Sequence, residues 1–209
     1  MKRILAILVL SAACGFALQA GAQQGGMGIP GENPSAGETA PQSVTPEVPS
    51  GPEGRAEDLR LHGNCEEALP IFRELAARGA GFEIARYNLG LCLFDLAKVE
   101  PDAQRAASLR RDGAANVRKA ADGGLPGAQL KLVSLYLDAN GVAGDPVEAG
   151  MWSLIYHANG TREVLGLPDI SPDLQARLDA VLTAKTWAEA QSRANAWSPI
   201  SQYSKFDNE

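Results

Sequence analysis

The sequence holds only two histidines, His62 and His157, and three cysteines, Cys14, Cys65 and Cys92. So few histidines leave little for a metal site or a histidine-centred triad. So few cysteines exclude a disulfide-dense mini-scaffold. Basic residues are also scarce: 19 Lys plus Arg stand against 25 Asp plus Glu, giving a net charge of −6 and a pI of about 5.0. A nucleic-acid-binding domain is expected to have a pI above about 9, so nucleic acid is excluded as the main partner. Aromatic residues make up 6% of the chain. The sequence contains no phosphate loop, no His-Glu-x-x-His, no Cys-x-x-Cys and no Gly-x-Ser-x-Gly elbow. It therefore points to no catalytic residue, cofactor or metal, and the expectation is a protein that is not an enzyme.

What is there begins with an address. Met1-Lys2-Arg3 is a short positive start, followed by the uncharged run Ile4–Leu18 and by small Ala20 and Ala22. This is the pattern of a secretory signal peptide, residues 1–22, cleaved after Ala22. The apolar run is shorter than the roughly 20 residues of a membrane span, so no span is expected after cleavage. Two other readings stay open: an uncleaved anchor, or lipidation at Cys14. Against the latter, Ser11 stands where a lipoprotein signal usually has Leu, and the apolar run continues through Phe16 and Leu18. Either way the chain is exported, to the periplasm or cell surface of a bacterium.

Residues 23–54 hold six Pro, seven Gly and four Glu, with no Lys, Arg or aromatic residue. Such a stretch has too little apolar surface to offset the entropy of ordering, and is expected to be a disordered linker. Gly26-Met27-Gly28-Ile29-Pro30-Gly31 matches a dinucleotide-binding fingerprint by letter only, having no strand before it, no helix after it, and a proline inside.

From Arg55 onward Ala and Leu recur at spacings of three and four, the helical period. Three segments align: Glu67–Gly79, Ala115–Gly124 and Ala149–Gly160. Their closing glycines, Gly79, Gly124 and Gly160, are natural helix C-caps. A second element also repeats, with Ala85, Leu89-Gly90 and Leu93 matching Ala128, Leu132-Val133 and Tyr136. Gly141-Val142 is expected to turn the chain between two helices, with Asp145 as N-cap and Pro146 in the first turn of the next. Ser171-Pro172-Asp173 starts a further helix, and a last one runs about Ala184–Trp197.

The segment Ala128–Gly160 resembles a Sel-one-like repeat, a relative of the tetratricopeptide repeat. Ala128, Leu132, Tyr136, Gly141-Val142, Asp145, Ala149, Trp152 and Gly160 carry the likeness. Val133 and Ala139 replace two family glycines. The preceding repeat keeps Ala85, Asn88-Leu89-Gly90 and Lys119-Ala120-Ala121, carries extra residues around Lys98–Asp112, and has Asn116 at the tryptophan position. The resemblance implies an all-α, short right-handed solenoid of about three helix-turn-helix repeats over residues 55–160. Helices in residues 161–200 would cap it, and residues 201–209 would form a frayed tail. In such an array each helix pair buries its apolar face only against its neighbours, and Trp152 would fill the space between helices.

The remaining chemistry reads as structural. His62 is expected to help end a short helix, and His157 sits late in another. Asp138-Ala139-Asn140-Gly141 lacks the ligands of a calcium loop. Asn159-Gly160-Thr161 is a glycosylation sequon by letter. Cys65 and Cys92 stand on successive helices; if these run antiparallel, the two residues lie about 6 Å off level. A bridge needs Cα atoms within about 7 Å, so a disulfide and two buried thiols are both compatible with the sequence.

The resemblance implies a non-enzymatic scaffold that takes an envelope protein or peptide on a concave face of first helices. Residues between the packing positions would line it: Tyr87, Leu91 and Asp95 from one helix, Leu130, Ser134 and Asp138 from the next. The alternative is an exported protein that binds cell-wall glycan or modifies the wall.

Overall fold

A computed structural model describes residues 51–200. The signal peptide, nearly all of the linker, Cys14 and the tail 201–209 lie outside the described residues. Within them the chain forms nine helices and no strand: α1 (Pro52–Leu61), α2 (Cys65–Ala77), α3 (Glu83–Val99), α4 (Ala103–Asp122), α5 (Pro126–Leu137), α6 (Pro146–His157), α7 (Gly160–Val164), α8 (Pro172–Val181) and α9 (Ala184–Ala196). Successive helices pack on one another from α1 to α6, so α1–α2, α3–α4 and α5–α6 are three stacked hairpins. The chain then caps the stack. α9 lies along α6, while α8 makes only slight contact with α5 and α6.

Local chemistry sets most of the boundaries. Val147 and Glu148 N–H groups donate to Asp145 Oδ1 at 2.9 and 3.1 Å, and Pro146 is the first helical residue of α6. Ser171 does the same for α8, accepting from Leu174 N–H, with Pro172 following. Such caps satisfy amides that have no partner inside the helix. His62 stands at the C-terminal cap of α1, its Nδ1 2.8 Å from Asp58 O.

The structure departs from the sequence expectation in three places. Folding begins at Pro52 rather than Arg55, because Pro52 is a good first helical residue and the helix it opens buries Ala56. The extra residues around Lys98–Asp112 form no loop; they lengthen α3 to 17 residues and α4 to 20. Gly160 does not close α6. That helix ends at His157, and Asn159 then N-caps the short helix α7, in which Gly160 is the first residue. Gly79 and Gly124 do follow helix ends, with φ of +98° and +89°.

Two apolar clusters make the interior. One joins α1, α2 and the first part of α3 around Phe72, Leu75, Leu89 and the Cys65–Cys92 disulfide, whose Cα atoms are 5.1 Å apart. The other runs from Phe94 to α9 around Trp152, Leu132, Val117 and Leu178. Trp152 is fully buried, and the Trp197 ring meets it edge-on at 5.8 Å. The longest hairpin is also tightly closed. A Cβ at Gly90 of α3 would stand 2.8 Å from the carbonyl oxygen of Gly113 on α4, so these helices meet backbone to backbone.

Candidate functional site

The first helices of the hairpins follow one another along one side of the stack. Arg60 of α1 is close enough to Tyr87 of α3 to act on its phenol. The Tyr87 ring lies over Gly127 of α5, where a Cβ would stand 3.5 Å from the ring edge. Lys131 of α5 reaches back over the Phe94 ring of α3, 5.6 Å from its centroid. Asp138, at the end of α5, pairs with Arg177 of α8. α1, α3, α5 and α8 are thus linked side by side.

The six residues singled out from the sequence all lie on α3, on α5 or at the end of α5, and none of them is fully buried. Tyr87, Leu91, Leu130 and Ser134 are half-buried; Asp95 and Asp138 are exposed. Burial pushes the Tyr87 phenol above its ordinary pKa, against the opposing pull of Arg60. Asp95 pairs with Lys98 on its own helix at 2.7 Å. The two aspartates thus differ, since only Asp138 ties α5 to another helix.

On the other helices the acids are engaged with arginines. Arg118 of α4 donates to Asp122 at 3.1 Å, to the Tyr136 hydroxyl at 2.8 Å and to Glu148 at 3.3 Å, and its guanidinium lies 5.0 Å from the centre of the Trp152 ring. Arg193 of α9 donates to Glu148 at 2.9 Å and to Glu189 at 2.6 Å. Desolvation works to lower the Arg118 pKa, but Tyr136, Asp122 and Glu148 more than offset it and hold the guanidinium above its ordinary value. Burial raises the Tyr136 phenol, partly opposed by Arg118. This network fastens α4, α5, α6 and α9 together, and Glu148 is its centre. Among the described residues no group of three or more His, Cys, Asp or Glu side chains is placed to share a metal ion, and no helix is long and apolar enough to cross a membrane.

Asn159 is committed to the fold. Its amide donates to Gln129 Oε1 at 2.7 Å and Gly124 O at 3.0 Å, while its Oδ1 accepts from the Thr161 and Arg162 amides. His157 is exposed, with Nδ1 2.6 Å from Asp169 Oδ2. Sequence reasoning missed the whole segment from Asn159 to Asp169. The Arg162 side chain that organises it gives no local signal, because its partners are carbonyl oxygens.

No family model matches the chain, and neither does any curated protein. Among solved structures, the crystal structure of a protective antigen present in uropathogenic Escherichia coli strains, displaying an SLR fold, aligns with a TM-score of 0.50 and 22% sequence identity. The match covers 77% of this chain and 33% of the antigen, so the chain spans about a third of the antigen's length. Three stacked helical hairpins, the Ala, Gly and Trp positions that close them, and this structural likeness agree: the chain is built on the Sel-one-like repeat fold.

Proposed function

We propose that this protein is an exported, non-enzymatic scaffold that holds an envelope protein or peptide along the side formed by α1, α3, α5 and α8. The observation that carries this reading is the row of half-buried and exposed side chains on α3 and α5. Tyr87, Leu91, Leu130 and Ser134 offer apolar and hydroxyl surface, and Asp95 and Asp138 edge it with negative charge. A repeat stack gives such a row a rigid backing, because each hairpin is fixed by its neighbours. Rigid backing limits the ordering cost that binding must offset. The Cys65–Cys92 disulfide supports export, since such bonds persist in oxidising compartments and are rare in the cytosol.

In-cell crosslinking of the C-terminally tagged protein, followed by mass spectrometry, tests the reading. The expected result is one dominant envelope protein, lost when Tyr87 and Asp138 are replaced together by Ala in a protein that still folds. Capture that survives the double substitution would refute the groove. Recovery of wall fragments in place of a protein would move the function to glycan binding.

A further inference from the structure

Beyond the groove, α7 and the turn after it form a knob. Val164 is 87% exposed, Leu165 61% and Leu167 37%. Three aliphatic side chains within four residues of one turn are an unusual thing to leave in water. They are not loosely held. Arg162, itself 9% exposed, donates to Leu167 O at 3.2 Å and His157 O at 3.1 Å, with its guanidinium 5.7 Å from the Tyr156 ring centre. The Tyr156 hydroxyl donates to Pro168 O at 2.6 Å, and Asp169 is tied to His157. The polar side chains point inward and fasten the turn, which leaves the apolar ones outward and ordered. The entropy of fixing this shape is spent on folding, so a partner need not supply it.

Directly beside the knob lies a cleft of about 630 Å³, open to solvent, between the end of α6, the end of α4 and α9. Leu154, Ile155, Ala194, Trp197 and Pro199 give it an apolar wall, and Gly160 and Thr161, which begin α7, form its near edge. The cavity left by one leucine-sized side chain is on the order of 150 Å³, so the cleft has room for all three knob side chains.

We infer that the knob of one copy seats in the cleft of a second copy, and that the exchange is reciprocal. A two-fold pair uses the same patch on both partners, so a projection and a socket side by side on one face satisfy each other in both directions. The area also fits. One knob and one cleft bury on the order of 500–600 Å² per copy, near the lower bound of specific interfaces, so the pair is weak. A lipid surface is the poorer occupant: Glu163 and Asp169 flank the apolar tip and the chain carries a net charge of −6, both unfavourable at an anionic leaflet.

Sedimentation equilibrium of the exported chain from low micromolar to about 1 mM tests this. The expected result is a monomer–dimer equilibrium with a Kd on the order of 10–100 µM, as suits an interface of this size. Leu165→Asp on the knob and Asn195→Trp at the cleft should each weaken it at least about tenfold while leaving thermal unfolding unchanged. A chain that stays monomeric throughout, or a dimer indifferent to both substitutions, would overturn the proposal. Loss with Leu165→Asp alone would overturn the reciprocal seat in this cleft. A monomer that co-sediments with phosphatidylethanolamine–phosphatidylglycerol vesicles through Leu165 would assign the knob to lipid instead.

Discussion

A Cβ atom at Gly141 would stand 2.2 Å from the carbonyl oxygen of Arg110. The turn between α5 and α6 is thus pressed against the backbone of α4, and Gly141 also has φ of +78°. Two separate costs therefore meet at one position. Gly166 separates them: its φ is +64°, but nothing lies within 4 Å of a Cβ built there. Gly166→Ala is expected to cost about 1 kcal/mol, the conformational term alone. Gly141→Ala should cost roughly 3–5 kcal/mol, because α4 must move as well. Thermal melts of the two variants side by side check this; equal losses would mean that the close approach to Arg110 carries no weight.

The disulfide should hold one part of the molecule and not the other. Cys65 and Cys92 belong to the cluster of α1, α2 and the start of α3, which is separate from the cluster around Trp152. The bridge closes 27 residues, and in the chain-entropy model such a loop contributes about 3.5 kcal/mol. In a repeat stack stability is nearly a sum over neighbours, so the loss stays local. In the Cys65→Ser, Cys92→Ser variant the amides of α1 and α2 should exchange early, while those of α5 and α6 keep their protection. Uniform loss across the chain in hydrogen exchange would show one cooperative unit instead.

Much of this architecture could be read before any coordinates existed, and the boundary of legibility is physical. Asp145 and Ser171 announced their helices because a cap acts on amides two or three residues away. Trp152 announced the hairpin interior because a buried indole needs a large gap at a fixed repeat position. Glu148 could not announce its role: Arg118 and Arg193, which it joins, are 30 and 45 residues distant. Cys65 and Cys92 stayed undecided because a difference of one helical turn decides between a bond and two thiols. Asn159-Gly160 was misleading for a related reason. Glycine serves at both ends of helices, and only the contact from Asn159 to Gln129, 30 residues away, shows that a new helix begins there. For the groove, the six residues are found on α3 and α5 or at the end of α5, but occupancy by a partner is not written in periodicity.

Glu148 should behave unlike an ordinary surface acid. Its side chain is only 17% exposed and accepts from both Arg118 and Arg193. Glu148→Ala leaves two guanidinium groups facing each other over Trp152 and Trp197 without their shared partner. Removing one member of a largely desolvated pair costs about 2–4 kcal/mol. Asp95→Ala, which breaks only the exposed pair with Lys98, should cost less than about 0.5 kcal/mol. Urea denaturation followed by near-ultraviolet circular dichroism, which reports the indoles, gives both values. A Glu148→Ala variant as stable as Asp95→Ala would reduce the network to surface decoration.

Acid should release the turn that carries Leu165 and Leu167. Partial desolvation tends to raise the Asp169 pKa, but hydrogen bonds from the Ile170 amide and from His157, with the charges of His157 and Arg162, bring it below the ordinary aspartate value. A carboxylate with a depressed folded-state pKa adds stability above its unfolded value and loses it as pH falls through the folded one. The turn is therefore expected to stay fixed at neutral pH and to loosen only below about pH 4. Amide exchange at Leu167 and Ile170, measured between neutral pH and about pH 3 and corrected for intrinsic rates, should show protection falling over that window. In Asp169→Asn the neutral-pH protection should already be reduced, and its acid dependence should be gone. If the variant keeps the full acid dependence, the clasp between His157 and Asp169 does not hold the turn, and the burden falls on Arg162 and Tyr156 alone.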